Sequence, residues 1–148
     1  MDRLVTYLNK HDIDYEIIKH DKQINSAHEG ANYFGIDIGQ TAPTIILKTE
    51  QGFYALVISG DYGRVNLDDL GELLKVQQVK LAKPNEIEKV TGYKVGSIPL
   101  VSHELPTIID RQLRRYTYVY GGTGISQTTL KIKPYDLEKL NNIVGYIR

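Results

Sequence analysis

Short β-branched runs alternate irregularly with short, individually capped helices, and this order is what most restricts the fold open to the chain. Runs at residues 15–18, 44–47, 53–58, 79–81, 107–110, 116–120 and 128–132 read as strands. Leu4, Val5 and Leu8 mark one face of a first helix ending near His11. Ser26 with Glu29 forms a capping-box pattern for a helix running to about Phe34 and stopped near Gly35. Asn66 caps a helix over residues 67–74, whose first turn carries Asp68 and Asp69, where the helix dipole favours acids. Pro84 opens a helix to about Val90, and Pro134 opens a last one to about Leu140. Glu50-Gln51-Gly52 reads as a hairpin turn between two of the runs. A doubly wound sheet needs a crossover helix between parallel strands. Strands and helices are mixed here without strict βαβ alternation, so the order predicts a mixed α+β fold rather than a doubly wound one.

The chain has 148 residues and no internal repeat, low-complexity stretch or linker, which suits one domain over 1–148. With no cysteine, disulfides, thiolate-bound zinc and a thiol nucleophile are excluded. Lys+Arg and Asp+Glu balance at 18 each, so a nucleic-acid partner would need a local basic patch. No apolar run approaches a membrane span, and Met1-Asp2-Arg3-Leu4 lacks a signal-peptide pattern. The expected setting is cytoplasmic, with no membrane contact.

Thr91-Gly92-Tyr93-Lys94-Val95-Gly96-Ser97-Ile98-Pro99-Leu100 is a glycine-rich loop closed by proline, followed by Leu105-Pro106-Thr107-Ile108-Ile109-Asp110. Glycine lets backbone approach a ligand, and Pro99 fixes its own φ and biases Ile98 toward an extended shape. Such a loop suits an oxyanion or ester site as well as a plain helix-to-strand connection. Gly121-Gly122-Thr123-Gly124 follows a strong strand. It lacks the Lys-Ser/Thr ending of a P-loop, so a hairpin connection is the better reading. His11, His20, His28 and His103 show no metal-binding spacing and read as surface residues. Ser97, His103 and Asp110 could be drawn as a triad, but no nucleophile elbow surrounds the serine. Arg111, Arg114 and Arg115, with Lys131 and Lys133, form the most basic stretch, interleaved with Tyr116, Tyr118 and Tyr120. Alternate tyrosines on a strand share one face. They could stack bases, though a solvated face is the plainer reading.

In order along the chain, Ser26-Ala27-His28-Glu29-Gly30-Ala31, Thr44-Ile45-Ile46-Leu47, Ser59-Gly60-Asp61, Val65-Asn66-Leu67, Lys80-Leu81-Ala82, Thr91-Gly92-Tyr93, the 96–99 loop, Leu105-Pro106, Ile109-Asp110, Gly121-Gly122 and Lys133-Pro134-Tyr135-Asp136-Leu137 resemble the YbaK family. This is the editing domain found within or beside prolyl-tRNA synthetases. The resemblance implies a central mixed, partly barrel-like sheet flanked by helices. It implies hydrolysis, in trans and without metal or cofactor, of the ester of a tRNA mischarged with a small amino acid such as alanine or cysteine. The partners it implies are the aminoacylated 3′ end of tRNA and, in some cases, a synthetase. The backbone of Gly96, Ser97 and Ile98, with Pro99 fixing the loop, would face the ester. Gly121 and Gly122 would form a second wall, and Asp110 a polar group at the site's edge.

Three positions depart from the family pattern. Relatives usually carry a lysine just before the Thr-plus-aliphatic strand, where this chain has Pro43. Lys48 lies five residues on and is the candidate replacement, although five places along a strand reverse the face and move the group by about 16 Å. Leu100 stands where many relatives have proline, and Gly124 where some have histidine. A catalytically weakened domain that binds tRNA ends or a protein partner is therefore the alternative, and a small-molecule binder a third. If a basic group reaches the Gly96 pocket the enzyme reading gains; if none does, the binding reading gains. Near-neutral charge implies that binding of free tRNA would be weak and salt-dependent. The sequence leaves the oligomeric state open.

Overall fold

The hairpin expected at Gly52 is the spine of the larger of two sheets. A computed structural model describes residues 2–148. The elements run α1 (Asp2–Lys10), β1 (Tyr15–Lys19), α2 (Ala27–Phe34), β2 (Thr44–Thr49), β3 (Gly52–Val57), α3 (Leu67–Leu74), β4 (Val79–Leu81), α4 (Pro84–Thr91), β5 (Pro106–Asp110), β6 (Val119–Gly121), β7 (Thr128–Ile132), α5 (Pro134–Lys139) and β8 (Asn142–Ile147). Short 3-10 turns lie at Ile38–Gln40 and Arg111–Arg115. The larger sheet has the order β4-β2-β3-β5-β8, with β2 antiparallel to β3 and β4, and β3-β5-β8 parallel. The smaller sheet is antiparallel, β1-β7-β6. A parallel bridge, Thr41↔Tyr120, ties the approach to β2 onto β6. The fold class is α+β, with a mixed sheet flanked by helices.

Local chemistry sets the element ends. Ser26 Oγ accepts from the Glu29 N–H at 3.1 Å, and Gly35 closes α2 at φ 65°. Asn66 Oδ1 accepts from the Asp69 N–H at 3.1 Å. The Lys83 N–H is taken by Glu86 at 3.0 Å, so Pro84 sits in a supported first turn of α4. The apolar faces fill three clusters. Leu4, Leu8, Leu130, Ile132 and Leu137 pack under the small sheet. Leu47, Leu56, Leu70 and Ile108 pack beneath α3. Ile46, Ala55, Ile87 and Ile98 pack beneath α4.

Three readings of the sequence need correction. The 116–120 strand shrinks to β6, because Asp110 Oδ1 accepts from the Gln112 N–H and starts a 3-10 turn that ends at Tyr116. Tyr116 therefore leaves the face shared by Tyr118 and Tyr120 and packs on the Arg115 guanidinium instead. The last strand, β8, follows α5 in a segment that carries no expected element; it is an edge strand completed by parallel pairing to β5. His20 and His103 are buried rather than on the surface. His103 Nδ1 accepts from the Leu105 N–H at 3.1 Å, while its Nε2 is buried with no partner.

Burial pushes the His103 ring down from its ordinary 6.5 to about 4. The unfolded chain then takes up the proton first as pH falls. The stability tied to the neutral ring is intact above about 6.5 and is lost between 6.5 and 4. His103→Asn keeps an acceptor for the Leu105 N–H but has nothing to titrate. Urea unfolding of the wild type should lose about 3 kcal/mol more between pH 7 and pH 4 than the variant loses. Equal losses would show that His103 is not held neutral.

Candidate functional site

A cleft of about 210 Å3 opens where the two sheets meet. That is below the ~300–1,000 Å3 of sites for drug-sized ligands. One wall is the start of α2 with Phe34 at its end, and the floor is Thr41 to Thr44 on the way into β2. The opposite wall is Gly96, Ser97 and Ile98, and the end of β6 with Gly121 and Gly122 closes the back.

The 96–99 loop is held from both sides. Ile98 packs in the cluster beneath α4, and Leu100 is fully buried in the cluster of the small sheet. Each burial contributes about 1.5–3 kcal/mol. Gly96 has φ 83°, and a Cβ built there would meet nothing within 4 Å, so the space before it is open. Gly122 is the reverse case: a Cβ there would collide with the Ile98 carbonyl. A Cβ on Gly121 would meet the Leu100 side chain at 2.6 Å. The Leu100 N–H donates to Gly122 O at 3.0 Å, fastening loop to strand across this side-chain-free contact. The expected donor set needs one correction. The Ser97 N–H is spent on Lys94 O at 3.0 Å, leaving Gly96 and Ile98 as the loop amides with no backbone partner.

The cleft lining contains no lysine, arginine, aspartate or glutamate. Its polar groups are hydroxyls, amides and one imidazole, His20. Lys22 O lies 2.6 Å from His20 Nδ1 and can only accept, so Nδ1 carries the hydrogen. In the neutral ring, Nε2 is then an acceptor for the Thr129 hydroxyl at 3.0 Å. Thr44 Oγ1, on the floor, is buried without a hydrogen-bond partner. Among the described residues no three His, Asp or Glu side chains group as a metal ion would need.

The structure brings together Gly96, Ser97, Ile98, Gly121 and Gly122. Pro99 is buried behind the loop and does not line the cleft. Lys48 does not line it either. It sits four residues beyond Thr44, about 13 Å along β2, and its ammonium pairs with Glu86 at the start of α4. Asp110 is fully buried away from the cleft. Its oxygens accept from the Ser59 N–H at 2.9 Å, the Gln112 N–H at 3.0 Å and Arg148 at 2.7 Å. No hydrogen bond joins Ser97, His103 and Asp110. Pro43 lines the cleft, so an apolar ring stands where the family resemblance implies a lysine. Gly124 packs under Tyr93, whose ring would meet a Cβ at 2.6 Å. His20, Phe34, Thr44 and Thr129 are cleft residues that sequence reasoning missed. For His20 and Phe34 the one signal was the imidazole and aromatic content flanking the Ser26 cap; Thr44 and Thr129 carried none.

The family model of the aminoacyl-tRNA editing domain matches residues 21–140. The proline–tRNA ligase of Caldicellulosiruptor bescii is 30% identical over 91 residues, 62% of this chain and 16% of the ligase. That of Thermotoga maritima is 26% identical over 100 residues, 67% of this chain and 17% of the ligase. The chain thus spans about one sixth of the length of these relatives. The crystal structure of the hypothetical protein APE2540 matches with TM-score 0.87 at 29% identity, covering 97% of each chain. A candidate trans-editing enzyme for prolyl tRNA synthetase shares the fold, with TM-score 0.85 at 24% identity over 97% of this chain and 92% of its own.

The Gly122–Ile98 contact makes a measurable demand. Gly122→Ala should lower the free energy of unfolding in urea by about 1–3 kcal/mol, because backbone rather than a flexible side chain must give way. A loss under about 0.5 kcal/mol, the size of an ordinary surface change, would contradict the close approach.

Proposed function

We propose, from the premise that the chain belongs to the aminoacyl-tRNA editing domain family, that it is a trans-acting deacylase for tRNA mischarged with a small amino acid. The observation that carries the reading is the small cleft between the 96–98 loop and Gly121-Gly122. A side chain the size of alanine or cysteine suits that volume, and the tRNA body would stay outside. Water adds to the ester carbonyl, the bond to the ribose oxygen breaks, and the proton passes to that oxygen. Free amino acid and tRNA are released. The Gly96 and Ile98 N–H groups would receive the negative charge that develops on the carbonyl oxygen. Ile98, Pro43 and Phe34 would limit the size of the aminoacyl group, as the second, editing sieve of a double-sieve mechanism does. The substrate would be a cytoplasmic tRNA, with or without a synthetase presenting it.

A second reading has a specific observation behind it. No lysine or arginine lines the cleft, Pro43 takes the family lysine's place and Lys48 is engaged with Glu86. That favours a domain that binds the tRNA end without hydrolysing it. The deacylase reading therefore rests on amides, hydroxyls and the vicinal ribose hydroxyl rather than on a side-chain cation.

Deacylation of alanyl-, cysteinyl-, seryl- and prolyl-tRNA separates the two. We expect alanyl- or cysteinyl-tRNA to be hydrolysed above background and prolyl-tRNA to be spared. Gly96→Pro should abolish that rate and Lys48→Ala should keep most of it. No hydrolysis of any of the four would leave the binding reading standing.

A further inference from the structure

We infer that an aromatic strip beside the cleft, centred on Phe34 and Tyr120, seats the terminal unpaired base of an RNA 3′ end. The inference rests on the tRNA-editing reading and adds where the nucleoside goes. Phe34 and Tyr120 lie 5.2 Å apart, ring centre to ring centre, and both line the cleft. His20 and Tyr33 extend the strip on the α2 side, at 6.0 Å and 5.1 Å from Phe34. On the β6 side the Lys131 ammonium stands 5.9 Å from the Tyr120 ring and 4.7 Å from Tyr118.

Three observations point to a ligand rather than to packing. First, Tyr33, Phe34, Tyr118 and Tyr120 belong to none of the three core clusters, and Tyr33 is 47% exposed. Secondly, the cleft, at about 210 Å3, is below the ~300–1,000 Å3 of sites for drug-sized ligands, so a nucleoside joined to an aminoacyl group there would extend onto an adjoining surface. His20, Phe34 and Tyr120 are common to the cleft and the strip. Thirdly, the cleft has no charged side chain, whereas Lys131 offers a cation at the strip's end. Its link to Glu16, at 3.9 Å, is loose enough to yield to a phosphate. Stacked rings with an interleaved cation are how proteins hold single-stranded ends, since every base has a π face.

The test uses an uncharged RNA hairpin ending in unpaired CCA and a matched hairpin whose last nucleotide is abasic, with binding read by fluorescence anisotropy at low salt. The wild type should bind the adenine end roughly tenfold more tightly than the abasic end. Phe34→Leu and Tyr120→Leu should bring that ratio toward one, while Phe34→Tyr, which keeps a ring, should preserve it. Lys131→Ala should weaken both RNAs alike and lower the salt slope by about one. A wild type that does not distinguish the two ends, or binds neither, overturns the proposal. So does a ratio unchanged in the leucine variants. Because the RNA carries no ester, the result is independent of hydrolysis. Ring-dependent binding without deacylation would remove the enzyme and keep the platform. Deacylation with ring-independent binding would do the reverse.

Discussion

The contact of Gly122 with the Ile98 carbonyl is the constraint on which the site depends. Gly122 can carry no side chain there, and the loop is fastened by the hydrogen bond from the Leu100 N–H to Gly122 O. The strand that ends just before Gly122, β6, holds the floor, because the Ala42 N–H donates to Tyr120 O at 2.8 Å beside the Thr41↔Tyr120 bridge. Three residues of β6 thus join the small sheet, the cleft floor and the glycine loop. Ile98 and Leu100 then anchor the loop in two different cores. A loop pinned in this way presents its amides without reorganising, which is what electrostatic preorganisation requires.

A network of charges supports the floor from behind. Asp110 and Asp61 share Arg148, and Asp61 also takes Arg115 at 2.8 Å. The Arg148 hydrogen bond, with help from Arg115, holds the Asp61 carboxyl well below the usual carboxylate range. Arg115 also donates to Ser59 Oγ, which donates to Gly39 O at 2.7 Å. Gly39 belongs to the 3-10 turn that leads into Thr41. Asp110 also accepts from the Ser59 N–H and so acts on the cleft through Ser59 and Gly39, as support for the chain beneath it rather than as a group facing a ligand. The basic stretch around Arg115 is largely consumed in the same way: Arg114 pairs with Glu138 at 2.7 Å.

The parts of the fold written in local chemistry were legible in the sequence. Ser26, Asn66, Pro84 and Gly52 each act within a few residues, so caps and hairpin fall where expected. Parts that need a distant partner were not. β8 carries Gly145 and gains its pairing from β5, more than thirty residues earlier. The burial of His20 depends on Thr129, 109 residues away. At the site, Gly121 and Gly122 stand at close approaches where a side chain has no room, whereas Gly96 is required by its φ of 83° and faces open space. Lys48 was misleading because strand position, not residue type, decides which end of β2 reaches the cleft. The departure at Gly124 has a packing cause, since the Tyr93 ring occupies the space a side chain would need.

The central claim is that the ester end of a small aminoacyl nucleoside enters the cleft under the 96–98 loop. Amide hydrogen exchange with and without 3′-alanylamido-adenosine, whose amide link resists hydrolysis, tests it directly. The account predicts slowed exchange at Gly96 and Ile98, with the Ser97 amide unchanged because Lys94 already holds it. Protection confined to the Arg111–Arg115 turn, with the loop amides unaffected, would contradict it.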